Sequence, residues 1–190
     1  MKKIILSLLS LLVVINTLSA KATKLDHKWI NKNYVFIKNN HDQLEVAKTA
    51  YRIGHSLIIN GESYEKTLAA IALVESSLGR DRIGDHGNTF GLTHFSLDRA
   101  REIIDASAYL NGLKETSDDQ LKNILQTNDE VNMILCGLNF KLNFARFKSY
   151  VKAIKAHNGY IPGKFNNKVY YEKIINAIRV IKKLKKNNLI

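Results

Sequence analysis

Apolar positions recur at helical spacing through most of the chain after residue 40, with polar residues filling the intervals. Leu44, Ala47 and Tyr51 interleave with Val46, Ala50, Ile53 and Leu57, a broad apolar face that stops at Asn60-Gly61. Ser63 stands where it can cap a second helix carrying Leu68, Ile71 and Ala72. From Gly79 to Gly91 the periodicity vanishes. Four of the ten glycines (Gly79, Gly84, Gly87, Gly91) fall in that window, which predicts turns with room for a short hairpin. Helical spacing resumes at Ser96 with Leu97, Ala100, Ile103 and Ile104. Two capping boxes are predicted: Ser117 with Gln120 ahead of Leu121, Ile124 and Leu125, and Thr127 with Glu130 ahead of Val131, Ile134, Leu135, Leu138 and Leu142. A short helix is expected from Tyr150 to Ala156, ended by Asn158-Gly159, and Pro162-Gly163 marks a loop. A last helix from Asn167 turns Tyr171, Ile174, Ile178 and Ile181 inward. Its end, Lys182-Lys183-Leu184-Lys185-Lys186, reads as a solvated helix terminus favoured by the helix dipole, with polymer binding as the alternative role. No repeat is visible. The fold class predicted is mainly α, with a small turn or β region after the second helix.

The N-terminus follows a different rule. Lys2 and Lys3 precede an apolar run from Ile4 to Ile15, and Ser19, Ala20 and Ala22 supply small residues beyond it. This is the layout of a secretory signal peptide over residues 1–22, leaving a mature domain of residues 23–190. The run is shorter than the roughly 20 apolar residues that span a bilayer. A membrane is therefore expected as a partner only through this segment, if it stays uncleaved. No cysteine follows the apolar run, so a lipoprotein anchor is not expected. The chain of 190 residues carries 29 Lys and Arg against 17 Asp and Glu, a formal +12. Removal of Lys2, Lys3 and Lys21 with the leader lowers this to +9. A basic excess favours an anionic partner. For an exported protein, in the periplasm or cell envelope, a cell-wall polymer fits better than nucleic acid, which is not expected as a partner. A lone cysteine, Cys136, excludes an internal disulfide framework and reads as a buried, inert thiol on an apolar helix.

One residue breaks the apolar pattern. Leu68, Ile71, Ala72 and Glu75 lie at i, i+3, i+4 and i+7, so Glu75 falls on the buried stripe at the last turn, just before the glycine-rich segment. A carboxylate loses hydration there, and a carboxylic acid beside a cleft is equipped to protonate a leaving-group oxygen. The bland alternative is a Glu at the stripe's edge reaching water. Asp81, Asp85 and Asp98 follow it, and Asp85, within Gly84-Asp85-His86-Gly87, is the candidate second carboxylate; its alternative role is to bond amides of its own turn. His86, His94 and Asp85 lack metal-binding spacing, so no metal is expected.

The string around Glu75, "IALVESSLGRDRIGDHGNTFGLTHFS", resembles the catalytic core of the soluble lytic transglycosylases, relatives of goose-type lysozyme. Glu75-Ser76 match that family's Glu-Ser pair, and Gly91-Leu92-Thr93-His94 stand where it has Gly-Leu-Met-Gln. Asn132 to Gly137 is similar to its Asn-Ile-x-x-Gly helix, Ala156-His157-Asn158 to its Ala-Tyr-Asn, and the stretch from Tyr170 to its last helix. The order holds over residues 64–180.

The resemblance implies an α+β lysozyme-like domain and roles residue by residue. Glu75 is the single catalytic acid and base. Ser76 bonds near it or caps the helix end. Gly91 and Leu92 floor the sugar groove, or are an ordinary turn and a core leucine. Asn158 faces the groove, caps its helix, or does both. Tyr170 approaches the acid from the last helix. Thr93 and His94 depart from Met and Gln, and His157 departs from Tyr, so the stabilising hydroxyl must come from Tyr160 or Tyr170 or be absent. The activity implied is cleavage of the β-1,4 bond between N-acetylmuramic acid and N-acetylglucosamine, closing a 1,6-anhydro ring, with no cofactor. The expected partner is the peptidoglycan glycan strand, and the small size is similar to wall-opening enzymes of envelope-spanning secretion or conjugation machines. The alternatives are a hydrolytic muramidase in which Asp85 or another acid positions water, a non-catalytic wall-binding module, and a basic protein that binds nucleic acid or anionic lipid.

Overall fold

The structure, a computed structural model, describes residues 25–59, 62–159 and 167–190. The leader, the Asn60-Gly61 stop, Tyr160 and the Pro162-Gly163 loop lie outside the described residues. Helices α1 (His27–Lys38) and α2 (His41–Ser56) are followed by a hairpin, β1 (Ile58–Ile59) with β2 (Glu62–Ser63). Helix α3 (Glu65–Ser76) leads to a second hairpin, β3 (Ile83–Gly84) with β4 (Thr89–Phe90), joined through a 3-10 turn at Asp85–Gly87. The chain continues as α4 (Leu97–Asp105), a 3-10 segment (Ala108–Leu113), α5 (Asp118–Thr127), α6 (Asp129–Phe147), α7 (Tyr150–His157) and α8 (Lys168–Lys186). The protein is mainly helical with small antiparallel β elements. Ile58 pairs with Ser63 and Ile59 with Glu62; in the second hairpin Ile83 pairs with Phe90 and Gly84 with Thr89.

Helix α3 is the axle of the fold. Leu68, Ala69, Ala70, Ile71 and Ala72 are all fully buried, so successive residues face core in every direction. A helix that is apolar all round has no solvent face to keep. It packs chiefly on α2 and α8. Glu75 continues the buried line of Leu68, Ile71 and Ala72 and sits where this largely buried helix reaches a cleft at its last turn. Helix α1, which the pattern did not announce, buries only Ile30 and Ile37 and is capped by Asp26, whose Oδ1 accepts from Trp29 N at 2.9 Å. Among the described residues, no helix is long and apolar enough to cross a membrane.

Several local expectations meet a different outcome. Ser63 lies in β2 and does not cap α3; its hydroxyl donates to Glu65 Oε2 at 2.5 Å, and Tyr64 holds the cap position without capping the helix through its side chain. Ser117 and Gln120 form both arms of a capping box, at 3.2 and 2.9 Å. Thr127 does not cap α6. Its hydroxyl turns back to Asn123 O at 2.8 Å, and Asn128 caps instead, accepting from Val131 N at 3.0 Å. On α8, Tyr170 is buried and Tyr171 only partly so, because the inward face spans Tyr170, Ile174, Ala177, Val180, Ile181 and Leu184. Two lysines of the terminal run are not simply solvated: the Lys183 and Lys185 ammonium groups lie 4.3 Å over Tyr34 and 5.3 Å over Tyr51.

Candidate active site

Residues 91–94 form a tight loop closed by two main-chain bonds, Phe90 N to Phe95 O at 2.8 Å and Phe95 N to Phe90 O at 3.1 Å. Asn132, fully buried on α6, clamps this loop from beneath. Its Oδ1 accepts from Thr93 N at 3.0 Å and Thr93 Oγ1 at 2.7 Å, while its Nδ2 donates to Phe90 O at 3.3 Å and Leu125 O at 3.2 Å. Gly91 has φ +82°, and a Cβ there would overlap Asn132 Nδ2 and Leu125 O. Only glycine satisfies both conditions. Arg82 anchors the neighbouring hairpin by donating to Asp129 and, at 3.0 Å, to Gln126 O.

The other wall begins at the end of α3. Ser77, Leu78 and Gly79 all take left-handed φ values, +53°, +57° and +85°. Ser76 holds this turn: its hydroxyl donates to Ala72 O at 3.1 Å and accepts from Gly79 N at 2.9 Å. Two non-glycine residues in that region store strain, which concentrates at functional sites. The result is that Glu75 faces an open cleft of about 710 Å³ between the β3–β4 hairpin, α4 and the end of α7.

The Glu75 side chain is 12% exposed, with three partners around it. Tyr170 donates to Oε1 at 2.6 Å. His94 Nδ1 stands 3.7 Å from Oε2, and His157 Nε2 stands 4.0 Å from Oε1. Burial, then the charge of Glu75, then the hydrogen bond to it hold the Tyr170 phenol well above its ordinary range, so it remains a donor. Burial pushes the His157 imidazole below its ordinary value of 6.5, against opposing pulls from Glu75 and the Thr93 carbonyl, and keeps it neutral.

Its tautomer follows from a chain of bonds. Arg99 Nε and Nη2 donate to Asn139 Oδ1 at 3.1 and 2.6 Å, which leaves the Asn139 amide nitrogen facing His157 Nδ1 at 3.2 Å. Nδ1 must accept, so Nε2 carries the proton, donates to Thr93 O at 3.3 Å and presents a dipole toward Glu75. The ring also stacks near Tyr170, centroids 6.5 Å apart, and meets Phe95 edge-on at 5.8 Å. The imidazole is thus a neutral donor beside Glu75.

The structure thus gathers Glu75, Asp85, Thr93, His94, His157 and Asn158 at one cleft, with Tyr170 behind the acid. It sorts the remaining expectations. Ser76 and Leu92 are fully buried: Ser76 caps and Leu92 is core, and neither is placed to touch a sugar. Thr93 is 1% exposed with its hydroxyl given to Asn132. Gly91 is the loop residue packed against Asn132 and Leu125 O, and it does not line the cleft. His94 turns its ring to Glu75 and Asp81 O, at 2.8 Å for the latter. Asn158 both ends α7 and lines the cleft, its carbonyl accepting from Asn167. Asp85 is exposed at φ +45°, and it is its carbonyl, not its carboxylate, that accepts from Asn88, at 3.1 and 2.9 Å. Cys136 is fully buried; burial, then the charge of Glu75, drive its thiol far upward, so it stays protonated. Among the described residues, no group of three or more His, Cys, Asp or Glu is placed to hold a metal ion.

The spacing did not reveal Arg99, Asn139 or Asp81, which set the orientation of the two histidines. Arg99 and Asn139 lie 40 residues apart, and Asp81 acts through its main chain, so neither short motifs nor side-chain chemistry could have flagged them. Comparison of the chain with protein-family models, with curated proteins and with solved structures gives no match.

Proposed function

We propose that the protein is a peptidoglycan lytic transglycosylase, exported to the cell envelope, with a lysozyme-like fold. The observation that carries this reading is Glu75: a carboxyl group 12% exposed at the wall of a 710 Å³ cleft, with Tyr170 bonded to one oxygen and the other left toward the cleft. A groove of this openness suits a polymer strand, and the formal charge of +12 over the whole chain suits an acidic wall.

In this reading the Glu75 acid gives its proton to the bridging oxygen, the bond from muramoyl C1 to that oxygen breaks, and the N-acetylglucosamine hydroxyl departs. The Glu75 carboxylate then takes the proton of the muramoyl C6 hydroxyl as its oxygen bonds C1. The 1,6-anhydro ring closes without water and Glu75 regains its starting state. No second carboxylate and no cofactor enter the balance. The Nε2–H of His157 and the Tyr170 hydroxyl stabilise the carboxylate between the two proton transfers.

One observation favours a second reading. Asp85 lines the same cleft, which suits a hydrolytic muramidase in which it activates water. Mass spectrometry of muropeptides after digestion of purified sacculi separates the two. Anhydro-muropeptides support the transglycosylase, and reducing ends lost in Asp85→Asn support the muramidase. Sacculus binding without any cleavage would leave the wall-binding module.

A further inference from the structure

Two groups address the two oxygens of Glu75. Tyr170 donates to Oε1 at 2.6 Å, while His94 Nδ1 stands 3.7 Å from Oε2. The second ring nitrogen of His94, Nε2, lies 2.8 Å from the main-chain oxygen of Asp81. A carbonyl oxygen only accepts, so Nε2 carries a proton, and a neutral ring then presents the bare lone pair of Nδ1 to Glu75. The backbone makes this orientation hard to lose. His94 has φ +51° at the end of the closed 91–94 loop, and its ring occupies space that Gly84 leaves open: a Cβ at Gly84 would stand 2.5 Å from Nδ1.

We propose that His94 is the positioning residue for the catalytic proton, fixing it on Oε2 as the delivering oxygen. This rests on the reading of Glu75 as the acid. With Oε1 committed to the Tyr170 hydroxyl, the acid proton belongs on Oε2, and the Nδ1 lone pair draws that O–H into one orientation. At 3.7 Å the pair is beyond a direct hydrogen bond, so the proton is oriented without being captured and stays available to a substrate oxygen. The O–H bond at Oε2 breaks on delivery and re-forms with the proton of the incoming hydroxyl; His94 gains and loses nothing over the cycle.

The other ionisable groups facing the pair are already committed. His157 gives its Nε2 proton to Thr93 O, Tyr170 is bonded to Oε1, and the Cys136 thiol is kept protonated by burial. Arg99 is engaged by Asn139 and Glu102, and the Asp81 carboxylate pairs with Arg80 at 3.1 Å. Among the described residues, Asp85 is the remaining carboxylate lining this cleft.

The test has two arms. Nitrogen-15 spectra of the imidazoles in the full chain, with and without Glu75→Gln, read the geometry without substrate. The expected result is His94 as the Nε2–H tautomer at mildly alkaline pH, with an Nδ1 resonance that moves by several ppm in Glu75→Gln while Nε2 stays. A His94 protonated on Nδ1, or an Nδ1 resonance indifferent to Glu75→Gln, overturns the proposal. The second arm is cleavage kinetics. His94→Gln keeps an acceptor near Oε2 and should retain at least tenfold more kcat than His94→Leu, with KM within twofold for both, and Gly84→Ala should lower kcat and shift its pH profile. Equal losses in His94→Gln and His94→Leu with unshifted profiles overturn it. Absence of cleavage by the unaltered protein overturns the transglycosylase reading, whereas the spectra still decide where the proton is held.

Discussion

Asn132 and Thr93 are joined twice through one atom: Asn132 Oδ1 accepts both the main-chain N–H of Thr93, at 3.0 Å, and its hydroxyl, at 2.7 Å. The amide nitrogen of the same side chain closes two further buried carbonyls. Helix α6 thereby fixes the loop that carries His94 to the acid, and the cleft depends on a residue that never faces it.

Asn132→Ala removes four hydrogen bonds and strands their partners in the core. Leaving buried groups unpaired costs about 1–3 kcal/mol each before relaxation, so an overall loss of roughly 3–5 kcal/mol is expected. Urea unfolding of the two proteins measures it. A loss below about 1 kcal/mol would contradict the clamp.

Glu75→Gln keeps shape but cannot deliver a proton. General acid–base catalysis contributes typically ~10²–10⁴ in rate, and muropeptide release should fall by at least that range. Pelleting with insoluble sacculi should persist, because the charge and cleft remain. Near-normal release would remove Glu75 from the mechanism.

Tyr170→Phe withdraws one donor from Oε1 and leaves the ring in place. A hydrogen bond to a charged group is worth about 1.5–3 kcal/mol, so kcat should drop roughly 10- to 100-fold with the helical circular-dichroism signal unchanged. Unaltered kcat would show that the carboxylate does not need this hydroxyl.

Stability should depend on acid pH through Glu65. Burial raises this carboxyl, but the Lys66 ammonium, the Ser63 hydroxyl and a main-chain bond pull it further down, to about 2 from 4.5. The native state therefore binds this proton less readily than the unfolded chain. The stabilisation, roughly 2–3 kcal/mol, is complete above pH 4.5 and is lost as pH falls from there toward 2. His157, lowered from 6.5, adds a loss of the same sign that begins as pH falls below 6.5. Thermal melts of Glu65→Gln should show a flatter decline between pH 4.5 and 2 than the unaltered protein.

Cys136→Ser should fold and cleave, at a cost of about 1–2 kcal/mol for the buried hydroxyl. The thiol is protonated and has no nucleophilic part to play. Complete loss of activity in a folded Cys136→Ser protein would overturn this.

The chain's own pattern determined its helices wherever one face alone is buried. The stripe Ala100, Ile103 and Ile104, the capping box at Ser117 and the stop at Asn158 are all local, and local chemistry suffices for them. It also located Glu75, because a carboxylate in line with the buried Leu68, Ile71 and Ala72 stands out against an apolar face. Local pattern failed where burial is decided by partners. Helix α1 is held by two buried isoleucines and contacts with α8, and Thr127 yields the cap to Asn128 because its hydroxyl is already used within α5. The roles of His94 and His157 belong wholly to the tertiary structure. Their tautomers are set by Asp81 O and by Asn139 turned by Arg99, groups brought from distant segments. A hydrogen-bonding direction is a property of the space around a ring, and that space exists only once α4, α6 and α7 have packed around the end of α3.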